Sequence, residues 1–403
     1  MPSNAMIYLD YNATTPLDAR VLEAMLPSMQ TAFGNASSIH SAGQHARAAV
    51  DRARESVAAL IGANPAEIVF TSGGTEADNL ALIGLVSAAS SSPRKHVITT
   101  AIEHHAVLNA CQELGRRGID VTYVPPRTNG IVDAQDIRRA ITPETILISV
   151  MHANNEIGTI QPVEEIGRVA AEADVYFHCD AVQSAGKLRL DVNRLGVDLL
   201  SISAHKFYGP KGVGALYVRP GTRLEPLFFG GHHERDRRPG TENVPGIVGI
   251  GKAAELARAH LDEDTSCISV LRDGLETALL DSIPEARLNG NSGPRVCNTT
   301  SITFTGAGGE AILIALDLEG IACSTGAACS SGSVEPSHVL TAIGLSDDDA
   351  RSTLRFSVGR GTTADEIDTA VEVIPRVVER IRSLSPRSHS AARDEGARTV
   401  RVR

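Results

Sequence analysis

Between about residue 65 and residue 218, short apolar runs alternate with segments whose apolar positions recur at helical spacing. EIVF, VITT, TILISV, VYFHC and VDLLSIS are strand-like, whereas stretches such as TEADNLALIGLVSAA and PVEEIGRVAAEA have the helical pattern. Alternation of strand and helix is typical of a mostly parallel sheet whose two faces are covered by helices. The pattern therefore predicts an α/β fold.

The pattern changes after about residue 260. A long helical stretch over 251–282 precedes strand-like runs separated by helices, among them RVCNTTSITFTG, LEGIACS and LRFSVGR. This arrangement predicts a smaller α+β domain. We expect a large domain over 16–260, a small domain formed by 1–15 together with 261–385, and a mobile tail over 386–403, where apolar periodicity is absent.

Composition and charge narrow the class of protein. The 403 residues are 42% hydrophobic and 21% charged, as in ordinary globular proteins, and carry a net charge of −10. A nucleic-acid-binding protein would show a basic face, so nucleic acid is not an expected partner. The apolar runs are shorter than the roughly 20 residues of a membrane helix, and no signal peptide is evident, so we expect a cytoplasmic protein that contacts no membrane.

The six cysteines do not indicate a metal site or a disulfide framework. No pair has the C-x-x-C spacing and no histidine pair follows, which argues against zinc. Disulfides are rare in large cytosolic chains. We therefore expect no metal.

Polar residues follow five of the predicted strands, at the edge where ligands bind in open parallel sheets. They are Ser72-Gly73-Gly74-Thr75, Glu103-His104-His105, His152 with Asn154-Asn155-Glu156, Asp180 with Gln183, and Ala204-His205-Lys206. Any one of these groups is typical of a turn or a helix cap. Together they are expected to meet in one crevice, where the small residues around Gly74 begin a helix and can surround a phosphate.

Asp180 and Lys206 indicate what binds in that crevice. A carboxylate that follows a buried strand needs a positive partner, and a lysine amine desolvated at such a position is a better nucleophile toward carbonyls. The alternatives are that Lys206 is a surface lysine or that Lys211 takes its place, although Pro210 and Gly212 favour a turn at Lys211. A phosphate cradle, a lysine and a carboxylate are the groups that pyridoxal 5′-phosphate requires.

Eight motifs, in order, resemble those of the cysteine desulfurases of the nitrogen-fixation and iron–sulfur-cluster type. They are DYNATTP (10–16), TSGGTEADNLA (71–81), EHHAVL (103–108), HANNEIG (152–158), DAVQSAGK (180–187), SAHKFYGPKGVGALY (203–217), RPGTENV (238–244) and STGAACSSGSVEPSHVL (324–340). The resemblance spans about residues 7–385. It implies a fold-type I pyridoxal-phosphate-dependent transferase that converts L-cysteine to L-alanine and passes the sulfur through a cysteine persulfide to an acceptor.

The resemblance also implies a role for each matching residue. Lys206 holds the cofactor as a Schiff base, Asp180 pairs with the pyridine nitrogen, and Gln183 bonds the ring hydroxyl. The remaining cofactor contacts are Gly74, Thr75, Asn155, Ser203, His205 and Thr241, the last supplied by the neighbouring subunit of a homodimer. His104 stacks on the ring and shuttles protons, for which an unperturbed imidazole is suited. Arg355 holds the substrate carboxylate, and Asn35 and Asn155 help to position the substrate.

The small-residue run ACSTGAACSSGS matches the family's segment that carries the nucleophile, which corresponds to Cys329. Glycine and serine permit the motion by which the loop reaches the substrate and then leaves with the persulfide. Cys323, six residues earlier, is expected to lie on a strand and face the core. A resolving role, in which Cys323 forms a disulfide with Cys329, is the alternative.

Other functions remain open from the sequence. A selenocysteine lyase, a transaminase or an epimerase of the same class would share the lysine and the aspartate but would not need Cys329. A non-catalytic scaffold would not need Lys206 or Asp180. The sulfur acceptor is a cluster-scaffold-like protein or a small thiol, in a pathway of iron–sulfur cluster assembly or thiolation.

Overall fold

A computed structural model describes residues 6–89, 94–290, 293–325 and 336–384. The strands of these residues are β1 (Ile7–Tyr8), β2 (Ile68–Thr71), β3 (His96–Thr100), β4 (Asp120–Val124), β5 (Thr145–Ser149), β6 (Tyr176–Asp180), β7 (Leu199–Ser203), β8 (Gly214–Val218), β9 (Ala286–Leu288), β10 (Thr299–Phe304), β11 (Ile321–Ala322) and β12 (Thr353–Ser357). Seven of them form one sheet in the order β2-β8-β7-β6-β5-β3-β4. Within it, β8 runs antiparallel to both of its neighbours, and β7, β6, β5, β3 and β4 are mutually parallel.

Helices cover both faces of this sheet and flank the smaller sheets. They are α1 (Ala19–Gln30), α2 (Ser41–Ile61), α3 (Gly74–Asn79), α4 (Leu85–Ala88), α5 (His105–Arg116), α6 (Ala134–Ala140), α7 (Val163–Glu172), α8 (Val192–Leu195), α9 (Val244–Ser282), α10 (Gly309–Leu318), α11 (His338–Ala342), α12 (Asp347–Arg351) and α13 (Ala364–Leu384). A π-helical segment, Leu80–Gly84, joins α3 to α4. Short 3-10 turns lie at Pro65–Glu67, Ala204–Lys206 and Glu234–Asp236.

Alternation along the strands divides the apolar side chains of the main sheet between two cores. Leu199 packs into the core on one face, and its neighbour Leu200 packs into the core on the other. Successive residues of a strand point to opposite faces, so a sheet buried on both sides needs continuous apolar runs. The apolar runs seen in the sequence satisfy this requirement, and the predicted mixed, mostly parallel sheet covered by helices is confirmed.

A separate core lies in the second part of the chain. There β12, β10 and β9 form an antiparallel sheet, and β1 pairs in parallel with β11. Leu275 of α9, Phe304 of β10 and Phe356 of β12 are fully buried in this core. The N-terminal strand therefore belongs to the same part of the fold as the C-terminal third of the chain.

Helix α9 connects the two parts. It begins at Val244, where Asn243 caps it and Pro245 occupies its first turn, and it runs to Ser282. The sequence pattern had predicted a helix only from residue 251, because glycines 246, 249 and 251 dilute the apolar periodicity at its start. The predicted division after residue 260 falls inside α9, and the domain limits stay a prediction. The predicted tail over 386–403 lies outside the described residues.

Among the described ranges, no helix is both long and apolar enough to cross a lipid bilayer. The same part of the chain contains no group of three or more histidine, cysteine, aspartate or glutamate side chains placed to hold a metal ion.

The second core gives a test of the fold. Leu275→Ala removes a side chain with no exposure and should lower the free energy of unfolding by about 2–5 kcal/mol, because a cavity remains. Val270→Ala, on the same helix but 70% exposed, should change it by less than about 0.5 kcal/mol. Urea unfolding followed by circular dichroism measures both, and equal midpoints for the two variants would contradict the packing described here.

Candidate active site

A cavity of about 380 Å³ opens at the carboxyl ends of the parallel strands. It is lined by Asn12, Ala13, Gly74, Thr75, Asp78, His104, Met151, Ala153, Asn155, Asp180, Val182, Gln183, Ser203, His205, Lys206 and Arg355. The five polar groups that the sequence placed after five strands thus contribute to one cavity. Residues 12–13 and Arg355 come from the other part of the fold.

Lys206 reaches the cavity from the 3-10 turn that follows β7. Its Nζ donates to the backbone carbonyl oxygens of Asn12, at 2.6 Å, and Ala13, at 2.9 Å. The amine is therefore anchored on neutral acceptors of the N-terminal segment while it lines the cavity.

Asp180 is the last residue of β6 and is buried. Its Oδ1 accepts a hydrogen bond from the backbone N–H of Val182 at 2.9 Å. Burial raises the pKa of Asp180 to about 6, and the Val182 hydrogen bond and the positive charge of Lys206 act in the opposite direction. A carboxyl group with this balance of effects favours a cationic N–H partner in the cavity.

Asp78 is a second buried carboxyl group on the cavity wall, and the sequence gave it no role. Burial and the charge of Asp180 raise its pKa well above the usual range. Its Oδ1 makes no hydrogen bond with the described residues. Because two neighbouring buried carboxyls do not both ionise readily, the raised pKa favours the protonated form of Asp78 over that of Asp180.

The end of the cavity at the start of α3 is built from small residues. Gly74 begins α3, and a Cβ at this position would lie 2.8 Å from Cγ2 of Val182. Thr75 and Ser203 line the cavity beside it. His205 contacts Thr14 through Nδ1, at 3.1 Å to Oγ1, and burial with the nearby charge of Lys206 lowers its pKa to about 4. Backbone N–H groups and hydroxyls are therefore the donors available to an anion here.

His104 caps α5. Its Nδ1 accepts a hydrogen bond from the backbone N–H of Ala106 at 3.1 Å, so the ring proton of the neutral imidazole lies on Nε2. Burial lowers the pKa of His104 to about 4, and Lys206, His105 and His338 act in the same direction. The pKa of His104 therefore departs from that of the unperturbed imidazole, because desolvation and neighbouring cations disfavour the imidazolium.

Arg355, on β12, is buried and already has partners. Its Nη2 donates to Oδ1 of Asp10 at 2.6 Å, and its Nη1 donates to the backbone oxygen of Asn155 at 2.9 Å. Its Nε is buried without a hydrogen bond to the described residues. The sequence missed Asp10, although the quoted motif DYNATTP begins with it, since nothing in the local pattern shows a partner 345 residues away.

Two predicted site residues lie away from this cavity. Asn35 is exposed, and its Oδ1 accepts from the backbone N–H of Ser37. Thr241 is exposed and lines a different cavity, of about 210 Å³, with Ser72 and Arg238.

Of the two cysteines in the small-residue run, the structure describes only Cys323. Cys329 lies outside the described residues. Cys323 is buried in the second core, as predicted, but it lies just after β11 and not on a strand as expected, and burial raises its pKa to about 12.

The donor set of the cavity fits pyridoxal phosphate. It combines an amine, a buried carboxyl that favours a cationic N–H group, an amide, and a glycine-lined helix start whose close packing leaves no room for a side chain at Gly74.

Comparison with known proteins agrees with this fit to pyridoxal phosphate. Residues 7–370 match the family Aminotransferase class-V. "Cysteine desulfurase IscS" of Dictyoglomus turgidum is 50% identical over 380 residues, which cover 94% of this chain and 96% of that protein. The protein of the same name from Methanosarcina thermophila is 50% identical over 383 residues, which cover 95% of this chain and 94% of that protein.

Solved structures show the same likeness. A "NifS-like protein" superposes with a TM-score of 0.86 and 37% identity and covers 93% of this chain and 99% of its own. "SspA in complex with cysteine" superposes with a TM-score of 0.78 and 40% identity, over 89% of this chain and 100% of its own. The chain therefore belongs to the class-V aminotransferases and, among them, to the pyridoxal-phosphate-dependent cysteine desulfurases.

The state of His104 can be measured directly. We expect its NMR signals to report a neutral ring with the proton on Nε2 from about pH 6 to pH 8, because its pKa is lowered to about 4. A ¹⁵N-edited titration measures this, and the signal is assigned by its disappearance in His104→Gln. A midpoint between about pH 6 and pH 7 would contradict the burial described for this ring.

Proposed function

We propose that this cysteine desulfurase binds pyridoxal phosphate in the 380 Å³ cavity and transfers the sulfur of L-cysteine to Cys329, releasing L-alanine. The observation that carries the proposal is the convergence of Lys206, Asp180 and the Gly74 helix start on one cavity, in a chain whose sequence retains Cys329 in its motif. A class-V transaminase or epimerase would use the same cavity but would have no need of that thiol.

The cavity residues that were predicted to contact the cofactor have the following roles in this proposal. Lys206 would attach the cofactor through its amine, and Asp180 would keep the ring nitrogen protonated, so that the cofactor, when bound, can accept electrons from the substrate. Gln183 would bond the ring hydroxyl oxygen. The phosphate would be held by Gly74, Thr75, Ser203 and His205, and Asn155 would contact the cofactor and the substrate.

His104 and Arg355 would act on the substrate. A neutral imidazole with its proton on Nε2 can exchange that proton with a group in the cavity while Nδ1 stays bound to α5. Arg355 would hold the substrate carboxylate. That contact competes with Asp10, which occupies one end of the guanidinium. Asn35 is a more distant candidate for substrate positioning.

The sulfur-transfer step takes place between the side chain of the substrate cysteine and the thiolate of Cys329. The Cys329 thiolate attacks the substrate sulfur, an S–S bond forms, and the C–S bond breaks with its electron pair left on the carbon skeleton. That carbon takes up a proton to give alanine, and Cys329 keeps a persulfide. A thiol then reduces the persulfide, or an acceptor protein takes the sulfur. The thiolate form is required for attack.

The acceptor in this proposal is a cluster-scaffold-like protein or a small thiol, in iron–sulfur cluster assembly or thiolation. Delivery of reduced sulfur suits a compartment that keeps thiols reduced, which is why we assign the enzyme to the cytoplasm.

A homodimer completes the site. Thr241 lies apart from Lys206 in one chain, and we propose that it reaches the phosphate site of a second copy. Phe33 is 78% exposed, Ile39 91% and Phe229 93%, and a second copy that covered them would bury apolar surface.

Product analysis tests the reaction. The cofactor-loaded protein with L-cysteine and a thiol reductant should yield sulfide and alanine in equal amounts, and Cys329→Ala should yield neither while keeping its visible absorbance. Cys323→Ala is the matched control. It should keep activity, because that thiol is buried and stays protonated. Alanine and sulfide from Cys329→Ala would refute the assignment of the nucleophile.

Mixed dimers test the role of Thr241. Thr241→Ala alone should weaken cofactor affinity roughly tenfold, since a hydrogen bond to a charged group is lost. A dimer of one Lys206→Ala subunit and one Thr241→Ala subunit contains one site with both residues intact. We expect this mixed dimer to bind cofactor more tightly and to be more active than either parent dimer. No gain over the parents would show that Thr241 does not act across the subunits.

A further inference from the structure

The side-chain amide of Gln183 is held at both ends by the protein interior. Its Oε1 accepts a hydrogen bond from Nζ of Lys187 at 2.9 Å, and its Nε2 donates to the backbone carbonyl oxygen of Asn12 at 3.0 Å. An ammonium group can only donate and a carbonyl oxygen can only accept. Exchange of the two ends would therefore always lose the hydrogen bond to Asn12, and would also lose the one to Lys187 while Nζ is protonated, although an amide without such partners has two nearly equivalent orientations.

This orientation decides what Gln183 offers to the cavity. The Nε2 group has a second N–H, and Gln183 lines the cavity that also contains Lys206. An N–H donor fixed in this way favours an acceptor, which in the proposed function is the ring oxygen of pyridoxal phosphate. A reversed amide would present Oε1 instead, and two acceptor oxygens would then face each other.

A local turn holds Lys187 in place. The backbone N–H of Lys187 donates to the carbonyl of Ser184 at 2.9 Å, and its Nζ makes a second hydrogen bond, to the backbone oxygen of Gln183, at 3.1 Å. Gly186 has a φ of 75°, and a Cβ there would lie 2.7 Å from Cβ of Phe207. The turn is thus packed directly against the residue that follows Lys206.

A protonated amine is energetically unfavourable at the position of Lys187, because it is buried and lies near other positive groups. Burial lowers the pKa of Lys187 to about 7. Lys206 and Arg355 act in the same direction, and the Cys297 thiol acts in the opposite one. Asp264 lines the same small second cavity as Lys187. The two hydrogen bonds to Gln183 are what the amine gains at this position.

We propose that Lys187 is a positioning residue that fixes the Gln183 amide with an N–H group directed at the cofactor's ring oxygen. This inference rests on the proposed function, because it assigns Lys187 a role toward the cofactor of that same site. The role is exerted through Gln183, and Lys187 itself does not line the 380 Å³ cavity.

The visible absorbance of the cofactor-loaded protein gives a readout other than activity. In Lys187→Met the fixed donor is lost, the ring oxygen becomes more basic, and the chromophore formed with Lys206 takes up a proton more easily. The midpoint of the absorbance change with pH should therefore rise by about half a unit to one unit, the equivalent of one hydrogen bond. If Lys187→Met does not fold, Lys187→Ala, which also removes the donor, is measured instead.

A cycle of variants separates positioning from a direct effect of charge. The same lysine change made in Gln183→Ala should shift the midpoint no further, because the amide through which Lys187 acts is gone. Lys252→Met, at a surface pair with Glu255, is the matched control and should leave the midpoint unchanged.

Three results would overturn the inference, and each of them contradicts a different claim. An unchanged midpoint in the lysine variant shows that Lys187 does not position the amide. An undiminished shift in the Gln183→Ala background shows that Lys187 acts by its charge alone. Failure of the wild-type protein to bind pyridoxal phosphate contradicts the proposed function itself, before any variant is compared.

Discussion

The site depends on keeping ionisable groups buried at the carboxyl edge of a parallel sheet. Burial alone would neutralise Asp180, and its pKa is indeed raised, but the Val182 hydrogen bond and the charge of Lys206 oppose that effect. Asp78 and His104 are driven to their neutral forms by the same desolvation. One low-dielectric cavity therefore assigns different charge states to its groups according to which partner each one meets.

Much of this site could be predicted from the sequence, because the carboxyl ends of parallel strands lie at one edge of the sheet. Five strand ends could be read from apolar runs, and the residues just beyond them meet in the cavity regardless of which strands are neighbours. The same logic explains why the mixed sheet was predictable, since strands buried on both faces need continuous apolar residues. Local patterns are informative wherever the geometry of the element itself determines where a side chain lies.

Local patterns fail where partners are distant in sequence. Asp10 and Arg355 are 345 residues apart, and nothing around either shows that they pair. The lowered pKa of His104 depends on burial, on Lys206 and on His338, none of which its own segment reveals. The early start of α9 was missed for another reason: its first turns pack glycines closely against neighbours, as at Gly251 against Ala53, and these glycines interrupt the pattern of buried apolar residues there.

The N-terminal segment links the two halves of the site. Asp10 holds Arg355, the carbonyl of Asn12 accepts from both Gln183 and Lys206, and the side chain of Asn12 donates to Asn155 and Thr299. In the proposed function, a substrate carboxylate at Arg355 competes with Asp10, only two residues from the carbonyl that anchors the cofactor lysine. Residues 10–13 thus hold the guanidinium of Arg355, the amide of Gln183 and the amine of Lys206 in fixed positions relative to one another.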